Sequence, residues 1–325
     1  MMGAMTDPLL LARAVAAGDR RALSRAITLV ESTRSDHRAA AEAMLAALPR
    51  RDPAIRLGLT GTPGAGKSTL IEALGTRLTA QGRRVAVLAV DPSSARSGGS
   101  ILGDRTRMDR LARDPRAYVR PSPAGAELGG VARRTREAIL LCEGAGFDVV
   151  IVETVGVGQS ETLAAGMTDL FALVLAPHGG DDLQGIKRGI VEVADLILVN
   201  KADRDPQAAR QAVGDYAAAL RLLRARTGDP EGWPRAMAVS AMTGEGLDEA
   251  WQALADLWLW RCERGLLERQ RAAQRRAWFE EELHAQALEK ALADPALAAA
   301  IPRLADEAAA GRLLPGEAAR RALGG

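Results

Sequence analysis

"GTPGAGKST", Gly61 to Thr69, says more about the architecture of this chain than any other nine residues in it. It carries Gly61, four intervening residues and then Gly66-Lys67-Ser68, it follows the apolar run "IRLGLT", and it opens the helical pattern "STLIEALGTRLTA". A loop with that pattern between a strand and a helix is built to cradle phosphates. Its glycines let successive backbone N–H groups turn inward, and the helix N-terminus adds partial positive charge. Lys67 reaches the β- and γ-phosphates, and the Ser68 hydroxyl is a ligand for Mg²⁺. The expected phosphate-binding residues are Gly61, Thr62, Pro63, Gly64, Ala65, Gly66, Lys67, Ser68 and Thr69.

On either side of this loop, short and nearly all-apolar runs at 55–60, 84–90, 147–152, 169–175, 195–199 and 235–239 alternate with helical segments. Strands covered by helices on both faces have this composition. The expected fold is therefore α/β: a P-loop NTPase with a mostly parallel central sheet flanked by helices. Residues 1–50 read as Ala-rich helices packed on the nucleotide domain, 51–262 as that domain, and 263–325 as a helical C-terminal segment. "RRVAVLAV" follows the phosphate-loop helix at once and leaves no room for a β-hairpin, so the second strand runs parallel to its neighbours.

That strand ends in Asp91-Pro92-Ser93, which puts a carboxylate at the γ-phosphate edge. Asp91 is a candidate for coordinating Mg²⁺ or orienting the attacking water, against the plain alternative of an Asp-Pro turn starter. "FDVVIVETVGVGQS" places Glu153 at the end of an apolar strand, where a carboxylate holds Mg²⁺, followed by Gly156, whose N–H can sense the γ-phosphate. Gln159 is not adjacent to that glycine and receives no water-orienting role. The catalytic candidates are Lys67, Asp91 and Glu153.

"LILVNKAD" ends a strand in Asn200, Lys201 and Asp203. The Asp203 carboxylate can accept the N1–H and 2-amino hydrogens of guanine, which adenine does not offer. "VSAMTG", Val239 to Gly244, supplies a supporting turn of Ser240, Ala241 and Met242, with the Ala241 N–H in reach of the guanine O6. GTP is the expected nucleotide.

Two loops at the same sheet edge read as switches. "SSARSGGSILGDRTRM", 93–108, is rich in Ser, Gly and Arg and offers Asp104 as a further metal candidate, with Arg96, Arg105 and Arg107 for charge stabilisation or partner contact. "PHGGDDLQGIKRG" offers His178, Asp181, Asp182 and Lys187.

Composition narrows the remaining classes. The 43 Lys and Arg against 41 Asp and Glu leave a net charge of +2, so no global field draws the chain to nucleic acid or anionic lipid. The Arg-rich stretch 261–276 also carries Glu263 and Glu268 and has no aromatic before Trp278, which suits a solvated face or dimer arm better than a nucleic-acid arm. Two isolated cysteines, Cys142 and Cys262, and three scattered histidines, His37, His178 and His284, cannot form a transition-metal site. No apolar run approaches a membrane span, and the expected location is cytoplasmic. The tail after Gly265 has too little apolar variety for a core of its own, so packing against a second copy is its expected role.

Taken together, "GTPGAGKST", "VDPSS", "GGSILGDRTRM", "ETVGVGQSE", "DDLQGIK" and "LVNKAD" resemble the MeaB/ArgK group of P-loop GTPases over about residues 10–300. The resemblance implies a homodimeric GTPase that binds methylmalonyl-CoA mutase, gates delivery of adenosylcobalamin to it and protects or rescues it. It also implies that Asp91, Asp104 and Glu153 join Ser68 around Mg²⁺ and that the 178–188 loop is a switch sensed by the mutase. The Asp-x-His-x-x-Gly run of base-off cobalamin binders is absent, so the partner is expected to hold that cofactor. An older label for the group, amino-acid-transport-associated kinase, needs ATP, which Asn200 to Asp203 argue against. A metallochaperone-type role for another metalloenzyme is the other alternative. Without a water-positioning glutamine, slow turnover stimulated by the partner is expected.

Overall fold

The computed structural model describes residues 7–32, 34–90, 108–121, 128–154, 160–177, 188–222 and 227–323. Three helices come first: α1 (Pro8–Ala16), α2 (Arg20–Val30) and α3 (Ser35–Ala46). Asp7 caps α1 by accepting from the Leu9 N–H at 2.8 Å, with Pro8 in the first turn. Asp19 caps α2 through the N–H groups of Arg21 and Ala22 at 2.8 and 3.1 Å, and these bonds hold its carboxyl below the ordinary Asp range.

The alternating part then runs β1 (Ile55–Gly61), α4 (Lys67–Ala80), β2 (Val85–Val90), α5 (Asp109–Arg113), β3 (Ala117–Arg120), α6 (Leu128–Gly144) and β4 (Val149–Thr154). It continues with α7 (Ser160–Ala165), β5 (Leu170–Leu175), α8 (Arg188–Val193), β6 (Leu196–Val199), α9 (Pro206–Leu222), β7 (Arg235–Ala238) and α10 (Leu247–Glu263). The strands form one seven-stranded sheet in the order β3-β2-β4-β1-β5-β6-β7, and every pairing is parallel. Strand β3 was not expected from the sequence. Its four residues, "AYVR", sit at the sheet edge between an Asp-Pro turn and a proline, too short and too polar at its end to stand out as an apolar run.

Alternate strand residues enter two cores. Leu57, Leu59 and Ile151 face Leu70, Leu74 and Trp251 from α4 and α10, while Val150, Val152 and Leu173 face Leu23, Ile27 and Ile139 from α2 and α6. The N-terminal helices thus cover one face of the sheet by packing on α6, where Arg38 pairs with the buried Glu137 at 2.6 Å.

The chain divides into two compact units, Met1–Gln270 and Arg271–Gly325, with the boundary inside α11 (Leu266–Leu292). In the second unit α12 (Pro295–Ala309), capped by Asp294, and α13 (Pro315–Ala322) pack together, with Leu304 and Ala318 buried. On α11, Phe279, Leu283, Leu288 and Leu292 are exposed. Among the described residues no helix is long and apolar enough to cross a membrane.

The amino edge of the sheet is tied by carboxylates. Asp148 accepts from the Arg84 N–H at 2.6 Å, Asp169 from the Arg56 N–H at 3.0 Å and Asp195 from the Phe171 N–H at 2.7 Å. Arg261 of α10, 4% exposed, closes this edge with bonds to Asp195 at 2.7 Å, to Asp229 at 2.9 and 2.6 Å, and to the Asp169 carbonyl at 2.9 Å. Burial alone would favour its neutral form, but the Asp229 and Asp195 carboxylates outweigh that and raise its pKa. Replacing Arg261 by Met leaves the buried Asp195 and the partly buried Asp229 without this cation and is expected to destabilise the protein by about 3–5 kcal/mol. Urea unfolding measures this, and a midpoint equal to that of the unaltered protein would refute it.

Candidate nucleotide site

β1 delivers the chain to the phosphate loop at Gly61, and α4 leaves it at Lys67. A Cβ on Gly61 would fall 2.0 Å from the Val174 carbonyl oxygen of the neighbouring strand, so only glycine lets β1 end this close to β5. Gly66 caps α4 in the left-handed conformation, φ 91°, and a Cβ there would meet Asn200 Nδ2 at 2.6 Å. Lys67 reaches back across the loop, its ammonium donating to the Gly61 and Thr62 carbonyls at 2.8 and 3.3 Å. The cation therefore sits at the loop beside the N-terminus of α4, where a phosphate anion gains most from both.

The second half of the site comes from β6 and the turn after β7. Asn200 follows β6, is 1% exposed, and donates from Nδ2 to the Ala65 carbonyl of the phosphate loop at 2.8 Å. Its Oδ1 accepts the Ala241 N–H at 3.0 Å, so any guanine O6 contact from Ala241 shares that N–H with Asn200. Lys201, left-handed at φ 65°, donates from Nζ to the Gly64 carbonyl at 2.5 Å. Asp203 is exposed, and its Oδ1 accepts the hydroxyl of the buried Ser240 at 2.6 Å, while Ser240 Oγ accepts the Thr243 N–H at 3.1 Å. Met242 projects into solvent at 73% exposure. The result is a carboxylate held in one orientation by its neighbour and exposed to solvent.

A family model described as methylmalonyl Co-A mutase-associated GTPase MeaB matches residues 23–296. The chain belongs to the MeaB family of GTPases.

Similar proteins agree with this. A putative GTPase of Caulobacter vibrioides is 59% identical over 236 residues, 72% of each chain. A mouse protein named methylmalonic aciduria type A homolog, mitochondrial, is 47% identical over 315 residues, 93% of this chain and 75% of the relative. Among solved structures, that of a protein called LAO/AO transport system kinase matches with a TM-score of 0.76 and 36% identity, covering 99% of this chain and 98% of that one.

MeaB-family membership makes the metal question concrete. Glu153 belongs to the end of β4, between β1 and β2, is 2% exposed, and its Oε1 accepts the Ser68 hydroxyl at 3.1 Å. Two oxygen donors at the start of the phosphate-loop helix fit Mg²⁺, a hard cation that completes its shell with waters and phosphates. Among the described residues no group of three His, Cys, Asp or Glu could hold a metal by itself. Next to Glu153, Thr154 donates its hydroxyl to Thr60 at 2.7 Å, locking β4 to β1.

Asp91, Asp104, Gly156, Gln159, His178, Asp181, Asp182 and Lys187, with Arg96, Arg105 and Arg107, lie outside the described residues. Sequence reasoning missed Glu72. From α4 its carboxylate accepts the Arg110 and Leu111 N–H groups at 2.8 and 3.1 Å and so fastens α5 to the phosphate-loop helix. A lone glutamate on an amphipathic helix gives no local sign of such a bond.

Changing Asp203 to Asn replaces an acceptor by a donor where guanine offers hydrogens. The expected loss in GTP affinity is about 10–100-fold, with xanthosine triphosphate, which carries an acceptor there, gaining in its place. Competition titration with both nucleotides checks this, and unchanged GTP affinity would remove Asp203 from base recognition.

Proposed function

We propose that this chain hydrolyses GTP to GDP and phosphate as a timer, and that methylmalonyl-CoA mutase reads its state, with the GTPase gating adenosylcobalamin delivery and protecting or reactivating the mutase. The observation that carries the reading is the Asn200 bridge, which makes the base-reading turn and the phosphate loop one body in a chain of the MeaB family. The names of its relatives support the partner, since one is a methylmalonic aciduria type A homolog.

In this reading Lys67 and the N-terminus of α4 neutralise the charge on the β- and γ-phosphates as the terminal bond breaks. Ser68 and Glu153, with Asp91 and Asp104, would hold Mg²⁺, which would supply further charge neutralisation at the phosphates. Asp203 selects guanine, with Ser240 and Ala241 holding the turn and Lys201 steadying the loop. Gly156 and the loops 93–108 and 178–188 carry the signal to the partner. A cytoplasmic location belongs to the same proposal.

The older kinase reading of this group has a counterpart in the name of a structurally similar protein, the LAO/AO transport system kinase. A transport-associated kinase acting on a protein would draw on ATP, and the orientation of Asp203 by Ser240 favours guanine.

The expected result is slow GTP turnover by the chain alone and at least about tenfold faster turnover with the mutase, the effect of a partner that completes a GTPase site. Steady-state phosphate release measures it. A fast rate indifferent to the mutase would sink the chaperone reading, and preferential ATP binding would revive the kinase.

Self-association is proposed to run through the second unit, whose α11 exposes Phe279, Leu283, Leu288 and Leu292. Ending the chain after Gln270 is then expected to yield a monomer by light scattering, while a dimer of the shortened chain would place the interface elsewhere.

A further inference from the structure

The helix α4 meets the candidate nucleotide site at both of its ends. Its first turn carries Lys67 and Ser68 beside the phosphate loop, and its last turn carries Arg77, about 15 Å further along the axis. There the Arg77 guanidinium lies against the turn that follows β7. Nη2 donates to the Gly244 carbonyl at 3.4 Å, and Nε stands 3.6 Å from the carboxylate of Asp248 in the first turn of α10. Gly244 is left-handed, φ 84°, and a Cβ on it would fall 1.8 Å from Arg77 Nη2 and 2.6 Å from Cζ. The guanidinium thus fills the space that any other residue at 244 would claim.

The turn is a closed ring of hydrogen bonds. The Ser240 N–H donates to the Glu245 carbonyl at 2.9 Å, the Gly244 N–H to the Ser240 carbonyl at 2.8 Å, and the Thr243 N–H to Ser240 Oγ at 3.1 Å. Ser240 in turn orients Asp203 through the 2.6 Å bond from its hydroxyl. A shift of Gly244 is therefore passed to Ser240, and from there to the direction in which Asp203 points.

The near side of this ring is well anchored. Val239 bonds to Val199 of β6, and Ala241 to the buried Asn200. On the far side Thr243 and Glu245 are exposed, and Arg77 reaches the glycine between them from α4.

We propose that Arg77 is a positioning residue for guanine selection: from the phosphate-loop helix it holds Gly244, so that Ser240 keeps Asp203 in the direction guanine needs. The proposal rests on the reading of Asp203 as the base-selecting carboxylate. Arg77 acts through Gly244 and Ser240 and touches no atom of the nucleotide. A single helix then sets both ends of the site, its first turn the phosphates and its last turn the base.

Competition titrations of the full chain with GTP and xanthosine triphosphate test it. The two nucleotides have the same phosphates and differ at the base edge that Asp203 meets, so their affinity ratio reports the direction of that carboxylate, while a general loss of folding or of phosphate binding moves both alike. Arg77→Met is expected to lower the preference for GTP about three- to tenfold, the loss of about one hydrogen bond. Gly244→Ala drives the guanidinium off the turn and is expected to lower the preference as well. Adding Arg77→Met to Gly244→Ala is expected to bring no further fall, because both changes break the same contact. A preference that Arg77→Met leaves unchanged, or losses that add in the double variant, would overturn the proposal. An unaltered chain without any preference for GTP would overturn the reading of Asp203 and this proposal with it.

Discussion

The carboxamide of Asn200 holds the two halves of the nucleotide site together. One end donates to the phosphate loop at Ala65 and the other accepts from the turn at Ala241, proposed above to meet the base, inside a setting with 1% exposure. A buried amide that loses either partner leaves a polar group desolvated and unmatched, so both loops are held to it at once. Strand order makes the bridge possible. β5 lies between β1 and β6, and the registers Gly61 with Val174 and Leu175 with Val199 bring the ends of all three strands to the same level.

The two edges of the sheet are built from different chemistry. At the amino edge, Asp148, Asp169 and Asp195 each accept a backbone N–H from a neighbouring strand, and Arg261 ties two of these strand starts to α10 and Asp229. Ion pairs with this little solvent hold position rigidly, because breaking one strands a buried charge. At the carboxyl edge the polar groups are backbone N–H and C=O of loops, bridged by Asn200, Lys201 and Lys67. A parallel sheet gathers ligands at that edge, where the loops converge on helix N-termini. The fold thus separates a fixed base from the rim that carries the candidate nucleotide site.

Much of this was legible in the chain. The phosphate-loop motif, the apolar strands and "NKAD", proposed above to read guanine, are each contained in a few consecutive residues, so their signal is written locally. β3 escaped because four residues at an edge with arginine at the end carry no apolar signature. Glu72 and Arg261 escaped for another reason: each looks like an ordinary surface charge on a helix, and only the element opposite turns it into a cap or a counter-ion.

Short spacings and hydrophobic periodicity were therefore enough to establish the class of nucleotide, the parallel α/β architecture and the side chains expected to meet phosphate and base. It took the packed molecule to show that the phosphate loop and the turn at Ala241 share one amide, that Ser68 and Glu153 stand 3.1 Å apart, and that charges distant in the chain become buried partners. Those outcomes depend on distances between residues tens of positions apart, which only the packing of the sheet and its helices sets.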